Sequence, residues 1–503
     1  MRTRLFTRGA AAAAVAALAL TACSGGGSGD EASDGGDGPI TWMATLHTPA
    51  TPDEDGPVQT ALEKYTGEDL KFQWVPAASS AEKLNAALSS GALADMVSMA
   101  PVDSSTVRQS LTSGMFWDVE PYLKDYPNLS KIDPQTLDAA RLDGKLYGVP
   151  FQKIKARYGV VVRQDWLDNL GLEVPHTIED LTKVAEAFAK DDPDGNGKND
   201  TTGFLDREES FDLGFRSLSG YFGAGDDFEV DDAGQVRSTF DSDAFKQAME
   251  WYRGVYEAGG VNKEFVTMQK TNQQDAIARG KGGIIVTGLF EAKGYLALAQ
   301  DADPKTPMKW ALVNDMTFED VPRRILTDTA GGLGGWLSFP KSEVKDEAEL
   351  KRVLGFADKL LDEEAYGLMT NGIEGEHYSM DDDGVVTIED QTAWEQEVQP
   401  YSSSRLSEKV VTYKSTEPYV DEGNEKMLEN EKYAVVNPTQ SLSSDAYDRQ
   451  WTTVHDAAKD AYNKYIVGQI EMADYEAAIE KLRGQGLDDI EQELTAAYAE
   501  VNG

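Results

Sequence analysis

The chain has 503 residues, one cysteine, and a formal net charge of −41 from 47 basic and 88 acidic residues. A single cysteine excludes an internal disulfide framework and leaves a hydrophobic core as the source of stability. This length amply supplies one and suggests two or more domains. The acidic excess repels nucleic acid and anionic lipid, so neither is expected as the main partner.

Arg2, Arg4 and Arg8 precede an apolar run from Ala10 to Leu20 and then Leu20-Thr21-Ala22-Cys23. A positive flank, a short apolar core and small residues at a cut site predict a secretory signal over 1–22, too short for a stable membrane span. Leu-Thr-Ala-Cys resembles a bacterial lipobox, in which Cys23 is lipidated and becomes the first mature residue. The alternative is a plain signal peptide with an incidental cysteine. Residues 24–38, "SGGGSGDEASDGGDG", offer nothing apolar to pack and predict a tether, 23–38 with the cysteine included. As a coil it holds the body roughly 20 Å from the anchor. No later run approaches spanning length, so the remainder is expected to be soluble at the extracellular face of the membrane.

The chain then alternates. "PITWMATLH" (39–47) predicts a strand, "VQTALEKYTG" a helix closed by Gly67, "LKFQWVP" (70–76) a strand, "SAEKLNAALSSG" (80–91) a helix and "DMVSMA" (95–100) a short strand. Such alternation makes parallel β-α units, with the ligand crevice beyond the carboxyl ends of the strands. His47, Thr48 and the 101–104 loop therefore fall on a candidate binding surface. Residues 145–172 hold two apolar runs and a helix start at Gln164-Asp165, the expected crossing between lobes. "TIEDLTKVAEAFAK" (177–190) reads as a helix N-capped by Thr177. Farther on come an amphipathic helix (243–260), a buried strand and glycine turn carrying Phe290 (276–298), and a glycine-loosened strand with Trp336 (330–340). The end, 476–502, reads as two helices broken at Gly484 to Gly486, with Leu487, Ile490, Leu494 and Tyr498 as a core stripe.

"DDPDGNGKND" (191–200) follows the 177–190 helix directly. Counting Asp192 as position 1 puts Asp194 at 3, Asn196 at 5, the Lys198 carbonyl at 7 and Asp200 at 9, around glycines. That spacing suits a hard cation with oxygen ligands, so calcium is expected there as a structural ion. Position 12 is Gly203, where an EF-hand needs a bidentate glutamate, and Thr201 just after Asp200 brings no carboxylate either. The alternative is an acidic turn capping the helix.

Several segments in order carry a family likeness: "YGVPF" (147–151) followed by "RYGVVVRQDWLDNLGL", then "DPDGNGKND", "GKGGIIVTG" (280–288), "NGIEGEHY" (371–378) and "AAIEKLRGQGLDDI". With the lipobox, they resemble the extracellular solute-binding proteins of ABC importers, in the long carbohydrate-binding group that includes LplA-like lipoproteins and alginate-binding proteins. The resemblance implies an α/β, two-lobed periplasmic-binding-protein-like fold of type II, its lobes joined by crossover strands with the ligand cleft between them. Lobe 1 is expected over 39–153 plus 318–375 and lobe 2 over 154–317 plus 376–503. It further implies capture of a sugar or oligosaccharide by closure and its transfer to separate permease subunits; a monomer is expected. The chain has no G-x-S-x-G elbow, no H-E-x-x-H and no dinucleotide glycine motif, so no enzyme is expected. An anchored polysaccharide hydrolase or lyase, and a binding subunit for peptides, remain the alternatives.

A sugar site needs rings to cover C–H faces and paired polar groups for hydroxyls. The candidates are His47, Arg157, Phe290, Trp336 and Tyr378. Arg157 either reads a hydroxyl or acidic sugar, or pairs with a carboxylate; Trp336 either faces a ligand or the core. Phe290 stands where the family often has a tryptophan. Tyr378 belongs to "GIEGEHY", whose Glu374 and His377 are expected to serve a structural loop. Trp42, Trp74, Trp166 and Trp251 default to core.

Overall fold

The computed structural model describes residues 38–48, 51–102 and 104–502. The signal segment, Cys23 and the tether to residue 37 lie outside the described residues, as does Asp103 of the 101–104 loop.

Two sheets organise the body, the first packed on one core and the second on two. In strand Ile40–Leu46, Ile40, Trp42, Ala44 and Leu46 are buried and the residues between them half-exposed, the period-two pattern of a strand with one covered face. Leu70–Pro76 and Met96–Met99 flank it in parallel; Leu333–Ser338 then runs antiparallel to Met96–Met99, and Val149–Gln152 antiparallel to that. The second sheet orders Trp310–Val313, Tyr158–Arg163, Gly282–Gly288 and Thr202–Phe204. Its register pairs Tyr158 with Gly288, so the start of one strand and the end of the next share an edge.

Helices cover both sheets where the sequence predicts them. Pro57–Thr66 ends on left-handed Gly67, and Thr177 Oγ1 accepts from the Asp180 N–H to cap Ile178–Lys190. The last two helices, Met472–Leu482 and Asp488–Asn502, are separated at Gly486, whose φ of 125° is open to glycine at little cost. Leu487, Ile490 and Leu494 are buried in the second core. Among the described residues no helix is long and apolar enough to cross a membrane.

The cores show where the chain crosses. Residues up to Phe151 and from Leu333 to Leu406 pack in the first core. Residues from Ala156 to Ile325 and from Leu442 to Leu494 pack in the second or, like Val161, Ile285, Trp310 and Leu312, in a third core against the same sheet. The crossings thus fall near 152–157, 327–332 and beyond 406. This differs from the expected boundaries in two places. Residues 318–325 stay with the second lobe, where Phe318 packs on Phe222 at 4.3 Å. Residues 376–406 stay with the first, where Val398, Tyr401 and Leu406 are buried and Trp394 Nε1–H donates to Thr370 O.

At the junction the crossing segments bond to one another. Gln152 N–H donates to Leu406 O, Lys153 N–H to Gly332 O and Asp328 N–H to Lys155 O, while Ile325–Leu326 pairs with Ala434–Val435. Backbone groups that leave both sheets are satisfied here by each other.

Candidate functional site

The junction opens into two cavities, of about 990 and 940 Å³, that share one residue, Arg157. Both lie at the upper end of the roughly 300–1,000 Å³ of small-ligand pockets.

The first cavity takes walls from both lobes. Ser104, Ser105 and Arg108 come from the first, beyond the end of strand Met96–Met99. Ser104 Oγ accepts from the Val107 N–H and starts helix Ser105–Ser110, which turns Arg108 across the gap. The Arg108 guanidinium donates to Leu442 O at 2.8 Å and Gln440 O at 3.3 Å, both in the second lobe. Ser443 Oγ also bridges, to Asp143 at 2.9 Å. The lobes are therefore in contact across this cavity.

The opposite wall is helix Asp445–Ile466. Ser444 Oγ accepts from the Tyr447 N–H and donates to Glu493, fixing its first turn. Tyr447, Trp451 and His455 recur every four residues and so share one face. Trp451 stacks on Tyr447 at 5.2 Å and on Phe240 at 5.6 Å. His455 Nε2 lies 3.2 Å from Asp212, which also holds Lys459 at 2.5 Å. Deeper, buried Arg216 pairs with Asp226 and donates to Thr327 O at 2.7 Å. Thr327 Oγ1 donates to Asp226 at 2.9 Å. Burial pushes the Asp226 carboxyl up to about 6 against the pull of Arg216.

Phe290 and Lys293 of the second lobe face the second cavity, with Tyr366, Trp394 and Arg405 of the first and Tyr413 beyond the last crossing. Glu408 lies at its base beside Lys153 at 2.8 Å. Burial alone would raise this carboxyl, but the Lys153 charge and hydrogen bond hold it below the usual range.

The predicted residues divide. Arg157 lies at the meeting of both cavities, where its Nε–H donates to Asp328 at 2.8 Å; the carboxylate pairing is realised within the cleft. Phe290 is 41% exposed, with the Arg157 guanidinium 5.3 Å from its ring centre. Trp336 is corrected: it is fully buried in the first core, with Nε1–H donating to Ala140 O at 2.8 Å. Its strand is central in the sheet, and the neighbouring glycines admit packed backbone and side chains rather than a ligand. His47 and Tyr378 line neither cavity. Partial burial and the nearby Lys153 charge lower the His47 imidazole.

His377 is fully buried; its Nδ1 accepts from the Ile373 N–H at 3.0 Å and its Nε2 meets Glu397 at 3.2 Å. Glu376, His377 and Glu397 bring ligand atoms within 4.8 Å of one another. With Nδ1 accepting, the proton sits on Nε2 and faces Glu397, so the imidazole locks the loop rather than offering a lone pair.

In the acidic loop, Asp192 accepts from the Asn196 and Gly197 N–H groups at 3.0 and 2.9 Å. Asp194 and Asp200 both accept from the Asn196 amide. The oxygens thus gather around one turn, a donor set that fits a hard cation. Gly203 explains the missing glutamate: a Cβ there would stand 2.5 Å from Ala185 O and 2.7 Å from Gly260 O. Packing of the strand against helix Ile178–Lys190 forbids a side chain at that position. Lys281 further occupies Asp200, at 2.6 Å.

The comparisons agree with this architecture. A model of the bacterial extracellular solute-binding proteins matches residues 46–366. The chain belongs to that family. This solute-binding protein is 34% identical over 464 residues, 92% of it and 91% of the other chain, to the polygalacturonan/rhamnogalacturonan-binding protein YtcQ of Bacillus subtilis. It is 31% identical over 471 residues, 91% and 92% of the two chains, to the lipoprotein LipO of the same organism. Its fold matches the Streptococcus pneumoniae substrate-binding protein FusA in complex with kestose, with a TM-score of 0.61, 20% identity, and 92% and 99% of the chains covered. FusA has also been solved as an EF-hand mutant. The expected two-lobed α/β fold is thereby shown.

Neither Trp451 nor Arg405 is among the sequence candidates. Tyr447-Trp451-His455 is the signal that finds the first, an aromatic stripe at the start of a capped helix. The second carries no local signal, because Thr370 and Tyr366, which hold its terminal nitrogen, lie 35 and 39 residues away and only the Ser402 carbonyl is local.

Proposed function

We propose that this chain is the lipid-anchored, non-enzymatic capture subunit of an ABC importer, a monomer that closes on an oligosaccharide and delivers it to a permease. The observation that carries this is the first cavity. It is lined from both lobes, offers Trp451 as a stacking surface amid hydrogen-bonding groups, and is spanned by Arg108, so that closing the lobes builds the site. The polygalacturonan/rhamnogalacturonan-binding relative and the kestose-bound FusA support a carbohydrate, and the lipoprotein relative supports an anchor at Cys23.

Titration with plant and fructan oligosaccharides tests it. A true ligand is expected to give saturable heat and a concentration-dependent rise in melting temperature, worth about 2.7 kcal/mol at a hundred times Kd. Recovery of shortened sugars after incubation would sink the binding role in favour of a hydrolase or lyase.

The 192–200 loop serves this role as a structural calcium pin, held by Asp192, Asp194, Asn196, Asp200 and the Lys198 carbonyl. It lies on the far end of helix Ile178–Lys190, and its residues line neither cavity. Chelation is expected to lower the melting temperature and leave saccharide affinity within about twofold, since ligands that bind only the folded state add stability by mass action. Affinity lost at unchanged melting temperature would assign the ion to the cleft instead.

A further inference from the structure

The two cavities differ in charge. Arg108, Arg157 and Arg216 line the first against Asp212, Asp226, Asp227, Asp328 and Asp448, and two of those arginines are already bound to Asp328 and Asp226. The second reverses the balance in a chain whose net charge is −41: Arg157, Lys293, Arg405 and Lys414 face Glu408 and Glu417. Glu408 is itself engaged by Lys153 and the Ile154 N–H.

Arg405 stands out within it. Its Nε–H donates to Ser402 O at 2.9 Å, and one terminal nitrogen donates to Thr370 Oγ1 at 2.8 Å and Tyr366 Oη at 3.2 Å. The guanidinium lies 5.1 Å from the Tyr366 ring centre. Every one of these partners is neutral, so the side chain is held in place without a carboxylate. Asn371 supplies an independent sign. It is 5% exposed, lines the same cavity, and its Nδ2 is buried with no hydrogen-bond partner. A buried donor left unpaired costs about 1–3 kcal/mol, which an incoming acceptor recovers. Tyr366 and Tyr413 are stacked at 6.4 Å beside half-buried Trp394 and exposed Phe290, giving apolar surface for a sugar face.

We propose that the second cavity is the subsite for a carboxylated sugar residue of the uronic-acid class, with Arg405 binding the carboxylate. The rigid guanidinium fork suits a planar carboxylate. Lys293 adds charge at the rim, and the Asn371 amide donates to a ring or carboxylate oxygen. The rest of the saccharide lies toward Trp451. This inference rests on the saccharide-binding reading and names its substrate class.

Calorimetry with trigalacturonate and its carboxyl-reduced, neutral counterpart tests it. The intact protein is expected to bind the acidic form at least tenfold more tightly, with the preference shrinking in high salt. Arg405→Gln is expected to weaken trigalacturonate by about ten- to a hundredfold while changing the neutral sugar less than threefold. Arg405→Lys falls between, because it keeps the charge and loses the fork. Lys293→Gln, at an exposed position, weakens only the acidic sugar and serves if Arg405 variants fold poorly. Equal affinity for both sugars, or equal losses on both at an unchanged melting temperature, overturns the subsite. Failure of both sugars to bind while another oligosaccharide binds also overturns the subsite, whereas failure of every oligosaccharide overturns the carbohydrate reading itself.

Discussion

Asp226→Ala is expected to lower the unfolding free energy at pH 7 by about 3–5 kcal/mol, the usual cost of leaving one half of a buried ion pair alone. Asp226 and Arg216 are 5% and 18% exposed at their side chains, so water screens the pair weakly. The substitution leaves the guanidinium with its hydrogen bond to Thr327 O and only the neighbouring charges of Asp227 and Asp328. It also removes the acceptor that holds Thr327, and with it a tie between the second lobe and the crossing. Arg216→Met with Asp226→Leu is expected to recover much of the loss, since both desolvation costs disappear together.

The pH dependence has a definite sign. Burial raises the Asp226 carboxyl to about 6 from an ordinary 3.8. Between those values the folded chain holds a proton that the unfolded chain has released. Stability from this group is therefore full below about 3.8 and lost as the pH rises through 6. The cost of Asp226→Ala is expected to grow on acidification from pH 7 to 5, as measured by urea unfolding. A cost that stays flat over that range and shrinks only below about pH 4 would mean that Arg216, not burial, controls the carboxyl.

Local signals made much of the fold legible. The strand alternation at 40–46, the Thr177 cap and the glycine break at 484–486 are all contained within a few residues, and the structure reproduces each. The boundary near 376–406 was not legible. What holds that segment to the first lobe is contact between residues far apart, such as the packing of Tyr401 on Phe72 and Trp74. The site behaves in the same way. Phe290 and Arg157 sit beside strand ends, where a sequence pattern can single them out; the side chains of Arg108, Arg216 and Arg405 take their partners from the opposite lobe, a remote loop or a distant helix. Trp336 shows the converse: its glycine neighbours leave ligand and core both open in the sequence, and in a strand paired on both sides they admit the close packing that buries it.

Two tryptophans separate stability from binding. Trp336→Ala is expected to cost about 3–5 kcal/mol of unfolding free energy, because the indole is fully buried and its N–H leaves Ala140 O unpaired on removal. Saccharide affinity per folded molecule is expected to stay within about twofold, since the ring touches neither cavity. Trp451→Ala is expected to do the reverse. Its indole is half-buried, supported from one side by Phe240 and Tyr447, and faces the first cavity. Deleting an aromatic anchor of this kind costs about 2 kcal/mol or more of binding, roughly thirtyfold in Kd, with the smaller share falling on stability. Denaturant unfolding and calorimetry on the same two variants read both quantities. Should Trp336→Ala weaken the folded protein's affinity while Trp451→Ala leaves it unchanged, the sugar cannot lie against helix Asp445–Ile466. The cleft would then have to be sought on the sheet of the first lobe.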